Sequence, residues 1–191
     1  MDWKEVFRQW AKTDEHLVKV EEARRIIAEA LRRHQKPYVS FSGGKDSTCV
    51  LHLVLQQKPD VTVLHWDYGP YYIPRWLAAE FVENARRIGA VNIRVETSPE
   101  YERLGRTAIN VWGRECLEKL IPNLKKEGYD LAFVGLRREE SVRRRWRIDR
   151  GQSLGIIPEC WPVAKWNWKD VWAYIFGNGL PYASIYDIYA P

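Results

Sequence analysis

The chain has 191 residues, 46% hydrophobic and 29% charged, which suits one globular domain with one core. Its net charge of +5 is modest, and its three cysteines (Cys49, Cys116, Cys160) form no CxxC pair, so neither a metal knuckle nor a disulfide framework is expected. No apolar run approaches the ~20 residues of a membrane span, and the charged start Met1-Asp2-Trp3-Lys4-Glu5 lacks the apolar stretch of a signal peptide, so a cytoplasmic location with reduced thiols is the expectation.

Residues 2 to 12 read as a short helix and 14 to 34 as an amphipathic one. In the latter, Leu17, Val20, Ala23, Ile27, Ala30 and Leu31 make one apolar stripe, with Arg24, Arg25, Arg32 and Arg33 mostly outside it. These N-terminal helices, residues 1–34, are expected to lead into a main domain over 35–191, within one compact domain overall. Pro37 breaks the helical pattern, and Tyr38-Val39-Ser40-Phe41 reads as a short buried strand. After a glycine loop, Cys49 to Leu55 is nearly apolar all round, as in a helix wedged against a sheet. Val61 to Trp66 is a second strand, followed by a helix from Pro74 to Ile88 that Gly89 closes. Val91 to Val95 is a third strand. A helix over 113–127 is disturbed at Pro122 and stopped at Gly128. Leu131 to Val134 is a fourth strand, Ile156-Ile157 begins a fifth, and Trp168 to Phe176 is a last helix. This alternation specifies a single-domain α/β fold: a mostly parallel five-stranded sheet with helices on both faces. Ligands of such sheets bind beyond the carboxyl ends of the strands.

The loop Ser42-Gly43-Gly44-Lys45-Asp46-Ser47-Thr48 stands at such an end. Adjacent glycines let the backbone approach an anion without a Cβ in the way, and the helix starting near Lys45 adds its positive dipole end. Ser42, Ser47 and Thr48 supply hydroxyls and Lys45 a mobile cation. Asp46 is too acidic to touch a phosphate and is expected to cap the helix or help hold magnesium. The loop is not a Walker A loop, because the GxxxxGK[ST] spacing is absent.

The string SGGKDS after the first strand resembles the PP-loop of the adenine nucleotide alpha-hydrolase superfamily. Gly135-Leu136-Arg137-Arg138-Glu139-Glu140-Ser141 resembles the GLRREQS-type segment of phosphoadenosine phosphosulfate (PAPS) reductases. Pro162-Val163, Trp168-Lys169-Asp170-Val171-Trp172, Leu180-Pro181-Tyr182 and Tyr186-Asp187 are similar to that family's later motifs. The resemblance covers roughly residues 35 to 189 and implies that the loop, with Gly135, Arg137 and Arg138, binds an adenine nucleotide, either ATP with magnesium or an adenosine phosphosulfate. Asp67, in His65-Trp66-Asp67-Tyr68-Gly69, resembles the family's hxDTG segment with Tyr68 in place of Thr, which implies a second carboxylate for magnesium; the alternative is a polar strand end.

Departures from the family pattern shape the expected chemistry. PAPS reductases carry a catalytic cysteine in a C-terminal ECGLH-like tail, whereas this sequence stops at Ala190-Pro191. APS reductases hold an iron–sulfur cluster on paired cysteines, whereas Gly113-Arg114-Glu115-Cys116 offers one, so no cluster is expected. The intact loop resembles the ATP-using members, among them the small subunit of bacterial sulfate adenylyltransferase. Adenylyl transfer to an anion such as sulfate is therefore the first expectation, with Lys45 and Arg137 catalytic and Arg138 helping to grip the acceptor. A sulfonucleotide-binding protein lacking its own cysteine is the second. A nucleotide-binding subunit of a nucleic-acid-modifying complex is the third, and a homodimer or partner subunit is expected.

Other residues keep open readings. Residues 137 to 150 hold seven arginines against three acids. Arg143, Arg144 and Arg145 form either a nucleic-acid or acidic-partner contact or a solvated face. Glu140 is a candidate to orient an arginine and Ser141 to cap a helix. Cys116 is a relic, a reactive thiol or, by preference, a buried small hydrophobe, while Cys49 is core and Cys160 open. His52 and His65 read as core residues. Five of the ten tryptophans lie between 146 and 172, and core packing is favoured over base stacking for them.

Overall fold

The computed structural model describes residues 2–105, 107 and 112–189. Five strands, β1 (Pro37–Ser40), β2 (Thr62–Asp67), β3 (Asn92–Thr97), β4 (Leu131–Val134) and β5 (Glu159–Cys160), form one sheet in the order β3-β2-β1-β4-β5. Every pairing is parallel, with Val39 opposite Val63 on one side and Phe133 on the other. Alternation along the strands divides the sheet into two faces. Val39, Val63 and Phe133 are fully buried in the larger core, while Tyr38, Leu64 and Ala132 face a smaller one with Leu120, Leu124 and Ile157.

The larger core is covered by α2 (Asp14–Arg33), α3 (Lys45–Leu55), α4 (Arg75–Ile88) and α9 (Trp168–Gly177). Helix α1 (Trp3–Trp10) packs on α9, with Trp3 edge-on to Phe176 at 5.4 Å and Phe7 edge-on to Trp168 at 5.7 Å. Helix α2 starts at the Thr13 cap and inserts Val20, Ala23 and Ile27 into the core, as its periodicity predicts. Leu17 departs from the expected stripe: it is 50% exposed, and buried His16 takes the inward position, near Asp170.

Asp170 is the hub of that corner. Fully buried, it accepts from Trp10 (3.3 Å), Lys19 (2.9 Å) and the Asn167 N–H (2.9 Å), which ties α1 and α2 to the start of α9. Burial opposes its charge, but the nearby His16 ring and hydrogen bonds from Asn167, Lys19 and Trp10 outweigh it and hold the carboxyl well below its ordinary range.

Two segments differ from the sequence expectation. The helix over 113–127 is three pieces: α6 (Trp112–Glu115), a π-helical turn (Cys116–Leu120) and α7 (Ile121–Lys126). Pro122 has no N–H to give to the preceding turn, and the Ile121 N–H reaches back to the Cys116 carbonyl instead. The fifth strand does not begin at Ile156-Ile157: Ile157 turns into the smaller core, Ile156 is 61% exposed, and pairing starts only after Pro158. Shorter helices α5 (Glu100–Leu104), α8 (Val142–Asp149) and α10 (Ile185–Tyr189) complete the chain. Among the described residues no helix is long and apolar enough to cross a membrane. Ala190 and Pro191 lie outside the described residues.

The sheet order sets the site. The chain runs outward from β1 through β2 to β3, then crosses back to β4 on the other side of β1. The switch point therefore lies between the carboxyl ends of β1 and β4, where a crevice forms in such sheets.

Candidate functional site

Both sides of that crevice are glycine-lined. Phe41 leads from β1 into the loop, where Gly43 adopts φ +80° and a Cβ would meet the Phe81 ring at 2.2 Å. Gly44 is the N-cap of α3 and, being glycine, supplies no capping side chain to the first-turn N–H groups. From the β4 side, Gly135 presses on the same turn: a Cβ there would lie 2.7 Å from the Asp46 carbonyl carbon and the Ser47 nitrogen. Only glycine allows the two strand ends to meet so closely.

Hydroxyls expected to face a ligand instead brace the loop. Ser47 Oγ donates to the Gly44 carbonyl (2.8 Å), accepts from the Ser42 N–H (3.3 Å) and lies 3.1 Å from Ser42 Oγ. Ser42 Oγ in turn accepts from the Gly44 N–H at 3.3 Å. Thr48 is buried in α3. Lys45 keeps its cation at the loop, 3.2 Å from Asp46 Oδ2 and 5.7 Å from the Tyr186 ring centroid.

Asp46 neither caps α3 nor points to solvent. It is 9% exposed and accepts from Arg137 Nε, which comes off the carboxyl end of β4 and is itself 4% exposed. Arg137 Nη1 donates to Glu139 at 2.7 Å, and the same Glu139 oxygen accepts the Trp168 N–H at the start of α9 at 2.7 Å. A chain of charges, buried at Asp46 and Arg137 and exposed at Glu139, thus links the loop to β4 and α9. The sequence offered no signal for Glu139 in this role. Glu140, the expected orienter, accepts the Arg137 N–H (3.0 Å) and pairs with Arg144. Ser141 caps α8 through the Arg144 N–H, as expected.

Arg138 does not join the site. It pairs with Asp149 at 2.7 Å and is half exposed, so the paired grip expected of Arg137 and Arg138 is not assembled. Arg143 and Arg145 lie exposed on α8 with no carboxylate partner among the described residues, and this solvated face gives the nucleic-acid expectation no support. Trp166 and Trp172 are core residues, whereas Trp146 is 59% exposed.

Asp67 ends β2 and receives both Arg75 guanidinium nitrogens (2.7 and 2.9 Å) and the Gly69 N–H (2.8 Å). The Arg75 contact, against the opposing effect of burial, holds its carboxyl below the ordinary range. As arranged, Asp46 and Asp67 do not fit a magnesium seat, because each of their carboxylate oxygens already faces a cation or an N–H. The three thiols are quiet: burial pushes Cys116 up to about 11, Cys160 up to about 12, and Cys49 well above its ordinary value. Neutral thiols are poor nucleophiles, which favours the packing role for Cys116, half-buried against the smaller core. His65 is buried with Nδ1 2.9 Å from the Phe41 carbonyl, a core role as expected.

Comparison with known proteins places the chain. The family model for the phosphoadenosine phosphosulfate reductase domain matches residues 36–188. Adenosine 5'-phosphosulfate reductase of Bacillus mycoides (strain KBAB4) is 26% identical, covering 99% of this chain and 82% of that protein. Sulfate adenylyltransferase subunit 2 of Burkholderia lata is 26% identical over 90% of this chain and 68% of its own length, and that of Mycobacterium sp. (strain KMS) is 29% identical over 86% and 62%. In fold, the chain is similar to PAPS reductase from Candida auris, with a TM-score of 0.62 at 16% identity, covering 87% of this chain and 84% of that one. The chain belongs to the phosphoadenosine phosphosulfate reductase domain family.

Proposed function

We propose that the protein binds ATP at the loop Ser42–Thr48 and transfers its adenylyl group to an anionic acceptor such as sulfate. The observation that carries this reading is the first turn of α3, whose glycine N-cap supplies no side chain to its amides, closed in by Gly43, Gly44 and Gly135 with Lys45 beside it. Amides and an ammonium at one point suit a polyphosphate rather than a neutral ligand. In the proposed step an acceptor oxygen attacks the α-phosphorus, the bond from that phosphorus to the bridging oxygen breaks, and pyrophosphate leaves with the bond's electron pair. Lys45 and the α3 amides stabilise the charge that develops on the pyrophosphate. Arg137 acts through Asp46 by fixing the turn that carries those amides, so it is a positioning residue in this scheme.

Two relatives named sulfate adenylyltransferase subunit 2 support the transfer reading and, with it, a partner subunit. A second reading, binding of an adenosine phosphosulfate, is favoured by the Bacillus mycoides reductase, which aligns over 99% of this chain. Release of pyrophosphate from ATP separates the two. The transfer reading expects release that rises with sulfate; ATP binding with no release under any acceptor, or release indifferent to the anion offered, counts against it.

A further inference from the structure

Tyr186 lies outside every role described so far, yet its hydroxyl rests on the phosphate loop. The Lys45 N–H, at the first position of α3, donates to Tyr186 Oη at 3.3 Å. That oxygen also lies 3.5 Å from where a Gly44 Cβ would stand. An oxygen on a first-turn amide occupies the position an anion's oxygen takes at a helix N-terminus. The ring is fixed from behind, edge-on to Trp172 at 5.3 Å. On either side the segment is anchored: Ser184 bonds Glu80 through its N–H and hydroxyl (2.8 Å each), and Tyr182 bridges Lys4 (2.8 Å) and Asp187 (2.9 Å).

We propose that Tyr186 tunes affinity at this site: its hydroxyl stands in for a phosphate oxygen on the Lys45 amide, and a nucleotide binds by displacing it. The inference rests on the reading of the loop as a phosphate site. Nucleotide affinity is thereby tied to the segment 182–189, since the incoming phosphate breaks that segment's contact with α3. One hydrogen bond exchanged for another of similar strength leaves only a modest net effect.

The test is calorimetric binding of pyrophosphate and of ATP to the wild type, Tyr186→Phe and Lys45→Ala. Phenylalanine keeps the ring on Trp172 and removes the oxygen, so binding should tighten by about 2- to 10-fold, the span of one net hydrogen bond. Unchanged or weaker binding by Tyr186→Phe, beside a wild type that binds and a Lys45→Ala variant that binds less, overturns the stand-in role and leaves the site intact. No binding by the wild type, or equal binding by Lys45→Ala, overturns the site and this proposal with it. Hydrogen exchange on the unmutated protein gives a second reading: protection over 182–189 should fall when pyrophosphate saturates, and unchanged or greater protection contradicts displacement.

Discussion

A buried arginine that reaches a phosphate loop is easily taken for a ligand-gripping residue. Arg137 is 4% exposed, with Nε on Asp46 and Nη1 on Glu139, so its charge is answered within the protein. Removing one partner of such a pair leaves the other buried and unmatched, at a cost of about 3–5 kcal/mol. Arg137→Met should therefore lower the urea-unfolding free energy by about 3 kcal/mol and weaken ATP binding as the first turn of α3 loosens. A variant of wild-type stability with lost binding would instead make Arg137 a ligand contact. Arg137→Lys should not rescue the loss, because a point ammonium cannot bridge two carboxylates from two nitrogens of one plane.

Elements meet at this site with almost no slack. Gly135, just beyond β4, lies so near the first turn of α3 that even a methyl group must displace backbone atoms at 2.7 Å. Gly135→Ala should cost about 1–3 kcal/mol, the usual range for overpacking, and ATP affinity should fall with it; equal affinity at equal stability would show that the strand end and the loop do not need this approach. The glycine loop, the strand ends and the β–α alternation were legible in the sequence because glycine, proline and apolar period act locally. Partners were not legible. Asp46 finds Arg137 across 91 positions and the Lys45 amide finds Tyr186 across 141, and nothing in the local pattern of either segment encodes such pairings. The π-helical turn was foreshadowed only by Pro122, and α8 hid behind its arginines because its residues bury no apolar stripe.

Across the whole molecule, charge and burial set how stability responds to pH. Burial is the chief cause that lowers the pKa of both His65 and His52 below their ordinary 6.5. A base whose pKa is lower folded than unfolded takes up more protons unfolded, so stability is full above 6.5 and declines as pH falls below it. Lowered carboxyls such as Asp67 begin to matter only nearer their unfolded value of 3.8. The urea midpoint should thus fall between pH 7 and pH 5, and His65→Gln should flatten that slope; a midpoint that stays level over this range would show that neither histidine is held neutral by its surroundings in solution. The sheet order brings the ends of β1 and β4 together, so the glycine loop, its Gly135 neighbour and its buried ion pair all follow from one reversal in the winding of the chain.

ATP binding at the glycine loop is tested most simply by calorimetric titration of the purified protein with ATP and with PAPS, beside Lys45→Ala. If the loop is an ATP site, ATP binds and Lys45→Ala weakens that binding by about 10- to 100-fold, the range of one charged hydrogen bond. Tight PAPS binding without ATP binding, or ATP binding indifferent to Lys45, would contradict it.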